Sequence, residues 1–113
     1  MVHLVTAVIK PHKLEEVKDA LRGTGIQGLT VSEVKCFGRQ GGHTETYRGA
    51  EYTIDLIPKI QIEVLCDTSA TDQVIDTIAN AARTDNIGDG KIWATAVERV
   101  VRIRTGERDV DAL

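Results

Sequence analysis

Few residues in this chain announce a site on their own. Its two cysteines, Cys36 and Cys66, are too few for a disulfide scaffold and lack the close pairing of a zinc site. They read as two free thiols. Aromatic residues make up 4% of the chain, so stacking platforms for single-stranded nucleic acid are not expected. There is no basic excess: 14 Lys and Arg against 17 Asp and Glu give a net charge of −3. Phosphate neutralisation needs a basic face, so nucleic acid is not expected as a partner, although a small basic pocket is not excluded. No apolar run approaches the ~20 residues that span a bilayer. Met1-Val2-His3-Leu4 is not a charged start leading into an apolar stretch, so no signal peptide and a cytoplasmic address are expected.

What is present favours strands. Val, Ile and Thr supply 35 of the 113 residues, and β-branched side chains suit a pleated surface. The apolar fraction of 42% is enough for one core and excludes whole-chain disorder. Leu4 to Ile9 reads as a buried strand stopped by Pro11. Leu14, Val17 and Leu21 recur at helical spacing, with charged residues between them and Gly23 and Gly25 behind them. Leu29 to Phe37 reads as a second strand. Ile60, Ile62 and Val64 alternate with Gln61 and Glu63 as a third. Asp67 to Ser69 offer caps for a helix that turns Val74, Ile75, Ile78, Ala79 and Ala82 inward. Ile92 to Ile103 reads as one long strand, with Glu98-Arg99 its weak point.

The expected order is β-α-β, a long loop, then β-α-β. That is an α+β, ferredoxin-like split β-α-β sandwich in a single domain, 1–113. Helices on one face would leave the other face of the sheet uncovered, and a homo-oligomer is the simplest cover. The segment from Gly38 to Asp55 fits neither period. A polar loop this long inside a compact domain points to function.

Several motifs invite a chemical reading. Gly23-Thr24-Gly25-Ile26-Gln27-Gly28 spells G-x-G-x-x-G, but a helix precedes it and a strand follows, the reverse of a dinucleotide site. It reads as a helix stop and a turn. Gly88-Asp89-Gly90-Lys91 could bring backbone N–H groups and a cation to an anion, and equally reads as a turn before a strand. Arg102 and Arg104 flank Ile103; on a strand they would share a face about 6.5 Å apart. Two such guanidiniums suit a polyphosphate or, alternatively, a solvated face paired with carboxylates. A hairpin closing the long loop would bring Lys59 to Arg39, Gln40 and the Gly41-Gly42 pair, a plausible carboxylate or phosphate site. In that hairpin residue 36 is expected opposite about residue 59, which keeps Cys36 far from Cys66. His3, His12 and His43 have no ligand spacing, and no Ser/His/Asp or Cys/His constellation is evident.

The run Gly38-Arg39-Gln40…His43-Thr44-Glu45…Tyr47-Arg48-Gly49-Ala50-Glu51-Tyr52 resembles the PII nitrogen-signalling proteins of the bacterial glutamine-B/K type. The resemblance continues through Lys10-Pro11, Ile26 to Val31, Pro58-Lys59, Ile87 to Ile92 and Val101 to Glu107. It implies a homotrimer with ATP or ADP in each inter-subunit cleft. Gly38, Arg39, Gly88, Asp89, Gly90, Lys91, Arg102 and Arg104 would surround the phosphates, the two last from a neighbouring subunit. Thr30, Glu63 and Leu65 would lie near base and ribose. Gln40 would complete Mg²⁺ coordination with ATP phosphates and 2-oxoglutarate, and Lys59 with Gly41 and Gly42 would hold that keto acid. The segment at about 38–55 matches the family's partner-reading T-loop, with Tyr47, Arg48 and Tyr52 in partner contact, and a tail follows at about 105–113. Tyr52 matches the tyrosine that a nucleotidyltransferase modifies.

By the same resemblance the chain is a sensor, not an enzyme. Its implied partners are an ammonium-transport channel, which would recruit it to the membrane, and the enzymes controlling glutamine synthetase. The competing reading, a slow ATPase or phosphotransferase in the same cleft, lacks an evident general base. A plain trimeric module is a third. The chain departs from the family pattern at Cys36 (usually Gly), Gly41 (usually Lys), Asp85-Asn86 (usually Gly-Lys) and Ala50, a phosphorylated Ser in cyanobacterial members.

Overall fold

A computed structural model describes residues 1–37, 43–47, 50–54 and 56–113, with 43–47 and 50–54 described as backbone. Four strands build the main sheet: β1 (Val2–Ile9), β2 (Thr30–Phe37), β5 (Leu56–Asp67) and β6 (Gly90–Val97). Their order is β2-β5-β1-β6, and every neighbouring pair is antiparallel. Helices α1 (Leu14–Arg22) and α2 (Thr71–Ala82) make the two crossovers. This is the ferredoxin-like α+β arrangement expected from the element order.

Alternation along the strands decides which face is covered. Val5, Ala7 and Ile9 of β1 and Ile60, Ile62, Val64 and Cys66 of β5 meet Val17 and Leu21 of α1 and Val74, Ile78 and Ala82 of α2 in one core. Ile9, Leu21, Ile62 and Ile78 are its largest fully buried side chains, and they come from both strands and both helices, so the two helices lie on the same face. Burying a Leu, Ile or Val side chain contributes about 1.5–3 kcal/mol, so this cluster is the main source of stability. Helix α1 is amphipathic because Leu14, Val17 and Leu21 fall on one stripe. Its outer face carries the i,i+3 pairs Lys13–Glu16, Glu15–Lys18 and Asp19–Arg22 at 3.1–3.3 Å, exposed and worth a few tenths of a kcal/mol each. A short 3-10 turn, Thr68–Ala70, precedes α2, and the Asp67 carboxylate accepts the Ser69 N–H there at 3.0 Å. That bond holds the Asp67 carboxyl below its ordinary value. The caps expected at Asp67 to Ser69 are therefore real, one turn ahead of the α-helix.

Three expectations need correction. The last strand ends at Val97, not Ile103. β6 pairs with β1 from Ile9↔Gly90 to Val2↔Val97, and the ladder stops where β1 begins, at Val2. Residues 103–105 form a turn in which Ile103 is 99% exposed. Arg102 and Arg104 therefore do not stand side by side on a strand face. Second, the β2–β5 register sets Cys36 opposite Ile57 and Val34 opposite Lys59, two residues from the expected pairing. Cys66 lies nine residues beyond Ile57 on β5, about 30 Å by strand rise, and both cysteines are free. Third, the segment that fits neither period contains a two-stranded ribbon, β3 (His43–Tyr47) and β4 (Ala50–Ile54), on either side of Arg48-Gly49. The run His43-Thr44-Glu45-Thr46-Tyr47 is short and mostly hydrophilic, which hid the strand.

The face opposite the helices carries Leu4, Thr6 and Val8 of β1, Lys59, Gln61, Glu63 and Leu65 of β5, and Trp93 and Thr95 of β6. Trp93 is 44% and Leu65 39% exposed on it. Among the described residues no helix is long and apolar enough to cross a membrane.

Candidate functional site

Register brings two loops to one end of the sheet. Ile9, the last residue of β1, pairs with Ile60 on one side and Gly90 on the other. Lys59 and Gly88-Asp89 therefore lie just beyond the same edge. Lys59 is 6% exposed, and its Nζ donates to the Gly88 carbonyl at 2.6 Å. β2 and β5 also run toward this edge at Phe37↔Leu56, where they lead into the segment between them. The contact of Lys59 with the Gly-Asp-Gly-Lys turn forms within one subunit; its expected meeting with Arg39, Gln40 and the Gly41-Gly42 pair lies outside the described residues.

The turn itself is shaped by Asp89. One carboxylate oxygen accepts the Thr84 hydroxyl, and the other accepts the N–H groups of Thr84 at 2.8 Å and Asp85 at 2.9 Å. Lys10 Nζ, from the end of β1, lies 3.2 Å from Asp89 and donates to Thr84 Oγ1 at 3.1 Å. The Thr84 hydroxyl and N–H, then Lys10 and the Asp85 N–H, hold the Asp89 carboxyl far below its ordinary value. Both Asp89 oxygens are spent within the loop, so its contribution to any anion site runs through the backbone it arranges. Asp85 takes φ +67°, a left-handed conformation that Asp tolerates better than most residues and Gly best. That explains how Asp can stand where the family pattern has Gly.

An acid titration follows. Asp89 stays ionised to lower pH than an unfolded aspartate, so its contribution is complete above 3.8 and is lost only as pH falls well below that value. The Thr84 and Asp85 amide resonances should therefore keep their positions through pH 3.8. A midpoint near 3.8 would contradict the bonding just described.

A second locus lies toward the other end of the sheet. A cleft of about 940 Å³ is lined by Leu4, Thr30, Glu63 and Leu65, by the 24–29 turn, and by Val110, Ala112 and Leu113 of the tail. Thr30 and Glu63 are direct cross-strand partners, as are Leu4 and Leu65. The structure thus brings together the three residues assigned to base and ribose. Lys91 pairs with Val8, four residues along β1 from Leu4, so the turn and the cleft lie about 13 Å apart. Arg102 lies beside the tail, bonded to Glu107 and Leu113. Arg104 is exposed in the 103–105 turn. Gly38, Arg39, Gln40, Gly41, Gly42 and Arg48 lie outside the described residues. Tyr47 and Tyr52 stand in the ribbon, opposite Ala50 and Glu45. Among the described residues no group of three His, Cys, Asp or Glu side chains could hold a metal. Sequence reading assigns no structural role to Lys10 or Thr84. The polar run Thr84-Asp85-Asn86 ahead of Gly88 is the available signal, since such side chains fold turns onto themselves.

The sequence profile described as "Nitrogen regulatory protein P-II" matches residues 2–107. The chain belongs to the P-II family. It is 58% identical over 109 residues to the "Nitrogen regulatory protein P-II" of Azospirillum brasilense, covering 96% of this chain and 97% of the relative. It is 57% identical over 110 residues to the "Nitrogen regulatory protein GlnK" of Escherichia coli K12, covering 97% and 98%. The P-II protein of Rhizobium meliloti is 56% identical over 109 residues, covering 96% of this chain and 97% of the relative. These relatives are full-length matches, so the P-II assignment covers both loci and the ribbon. A regulatory role, which their names state, is the role of this family member too.

Proposed function

We propose that this P-II chain is a non-enzymatic sensor of nitrogen, carbon and energy state, working as a homotrimer. ATP or ADP binds between subunits, with phosphates on Gly38, Arg39 and the Gly88–Lys91 turn of one subunit and on Arg102 and Arg104 of the next. Thr30, Glu63 and Leu65 receive base and ribose. The partly exposed Trp93 and Leu65 on the helix-free face support burial against other copies. Mg²⁺ would be held by ATP phosphates, Gln40 and 2-oxoglutarate, and would supply positive charge for the keto acid; Lys59 pairs with the distal carboxylate. Each ligand set stabilises a different arrangement of the 38–55 segment, a population shift set by differential affinity. That segment binds or releases an ammonium channel, which draws this cytoplasmic protein to the membrane, and the enzymes that control glutamine synthetase. A nucleotidyltransferase modifies Tyr52.

The observation that carries this reading is the Lys59–Gly88 bond at 2.6 Å in a chain matched to P-II from residue 2 to 107. It joins the foot of the partner-reading segment to the turn assigned to phosphate. Asp89 is spent on its own loop and is not offered as a general base, which favours binding over ATP hydrolysis. Charge-assisted bonds to phosphate contribute about 1.5–3 kcal/mol each, so Arg102→Ala and Arg104→Ala should each weaken ATP about ten- to a hundred-fold. Both variants should remain trimers by light scattering. Unchanged ATP affinity in both would return the arginines to a solvated surface and remove the nucleotide from this reading.

A further inference from the structure

Arg102 is already occupied within its own subunit. Its Nη1 donates to Glu107 Oε1 at 3.0 Å, and its Nη2 donates to the main-chain oxygen of Leu113. The chain reaches this arrangement by folding back on itself. Gly106 N–H bonds the Arg102 carbonyl at 2.8 Å, Arg102 N–H bonds the Glu107 carbonyl at 2.9 Å, and Asp109 N–H bonds the Val100 carbonyl at 2.8 Å. Val101 and Arg108 form an isolated bridge beneath the turn. A 3-10 turn, Asp109–Ala112, then places Val110, Ala112 and Leu113 on the wall of the cleft that Thr30, Glu63 and Leu65 also line. Asp109 holds φ +55°, the left-handed region that Asp tolerates and that Asp85 also adopts.

One segment therefore does two things. It presents acceptors to the donor edge of Arg102, and it lines the cleft with apolar side chains. A guanidinium fork that faces the Glu107 carboxylate and the Leu113 main-chain oxygen uses the geometry a phosphate needs. A phosphate arriving there also meets the negative charge of Glu107. We propose that Glu107 to Leu113 is a self-inhibitory strap, which holds Arg102 until nucleotide phosphate displaces Glu107 from it. This rests on the reading that Arg102 binds phosphate. The hold is light by construction: the Arg102 and Glu107 side chains are 35% and 46% exposed, where an ion pair is weak and releasable. A tight hold would abolish binding; a light one sets a threshold.

The test is ATP titration of the full chain carrying Glu107→Gln, alone and with Arg102→Ala. Glutamine keeps the shape and removes the competing charge. The strap predicts that Glu107→Gln tightens ATP about two- to five-fold. It also predicts that the gain vanishes when Arg102 is alanine. Amide exchange at Arg102, Gly106 and Asp109 should be slow in the free protein and faster with ATP bound. An unchanged or weakened affinity in Glu107→Gln, or a gain that persists without Arg102, would overturn the strap while leaving nucleotide binding in place. Absence of ATP binding by the unmodified chain would overturn the nucleotide reading and the strap together.

Discussion

Replacing Gly90 by alanine should cost about 3 kcal/mol or more of folding stability, a fall in Tm of more than about 10 °C. Two effects combine at this position. Gly90 holds φ +105°, where a side chain is strained whatever the space. A Cβ there would also lie 1.7 Å from the Val8 carbonyl oxygen and 2.8 Å from its carbon. Both are backbone atoms of the central strand β1, so relief means moving the sheet. Gly25 separates the two effects. It holds φ +86°, and a Cβ added there would meet nothing within 4 Å, so Gly25→Ala should cost only about 1 kcal/mol. Urea unfolding of both variants checks this. Equal losses would mean that the close approach of β6 to β1 is not what requires glycine at 90.

Lys59→Met should lower 2-oxoglutarate affinity at least about a hundred-fold, with ATP weakened by no more than about ten-fold. Methionine keeps the stem and removes the ammonium. Lys59 is 6% exposed, and its charged donor reaches the Gly88 carbonyl at 2.6 Å. A charge-assisted bond of this kind contributes about 1.5–3 kcal/mol, and part of that holds the 88–91 turn in place. The smaller loss in ATP reflects that loosened turn. The larger loss in 2-oxoglutarate reflects removal of the cation proposed to meet its distal carboxylate. Calorimetric titration separates the two, and equal losses for both ligands would reduce Lys59 to a structural tie.

Much of the fold was legible because the covered face of each element repeats at its own period. Ile60, Ile62 and Val64 alternate, and Leu14, Val17 and Leu21 recur at helical spacing, and all but Leu14 lie in the buried cluster. The end of β6 was not legible from its own residues. Val100, Val101 and Ile103 suit a strand, but β1 begins too late to pair with them. Only the partner's length decides that. The overlong strand also misplaces Arg102 and Arg104, whose surroundings depend on how the tail folds back. The ribbon inside the 38–55 segment was hidden for a different reason: β3 is mostly hydrophilic, and the alternation of Ala50, Tyr52 and Ile54 in β4 lasts only five residues. At the site, closing the hairpin set Lys59 against Arg39, Gln40 and the Gly41-Gly42 pair, and its contact with Gly88 was not legible, because it joins residues 29 apart through the sheet register. The Asp89–Thr84–Lys10 network was not legible either, because it depends on a turn geometry that joins residues 74 apart.

The most direct measurement is calorimetric titration of 2-oxoglutarate into the protein under three conditions: metal-free, with ADP and Mg²⁺, and with ATP and Mg²⁺. Two carboxylates beside bound phosphates make a poor site for one lysine, so added positive charge is required. ADP lacks the γ-phosphate that would help hold the metal. The account predicts binding only with ATP and Mg²⁺ together. Tight binding of 2-oxoglutarate to the metal-free or ADP-loaded protein would contradict it.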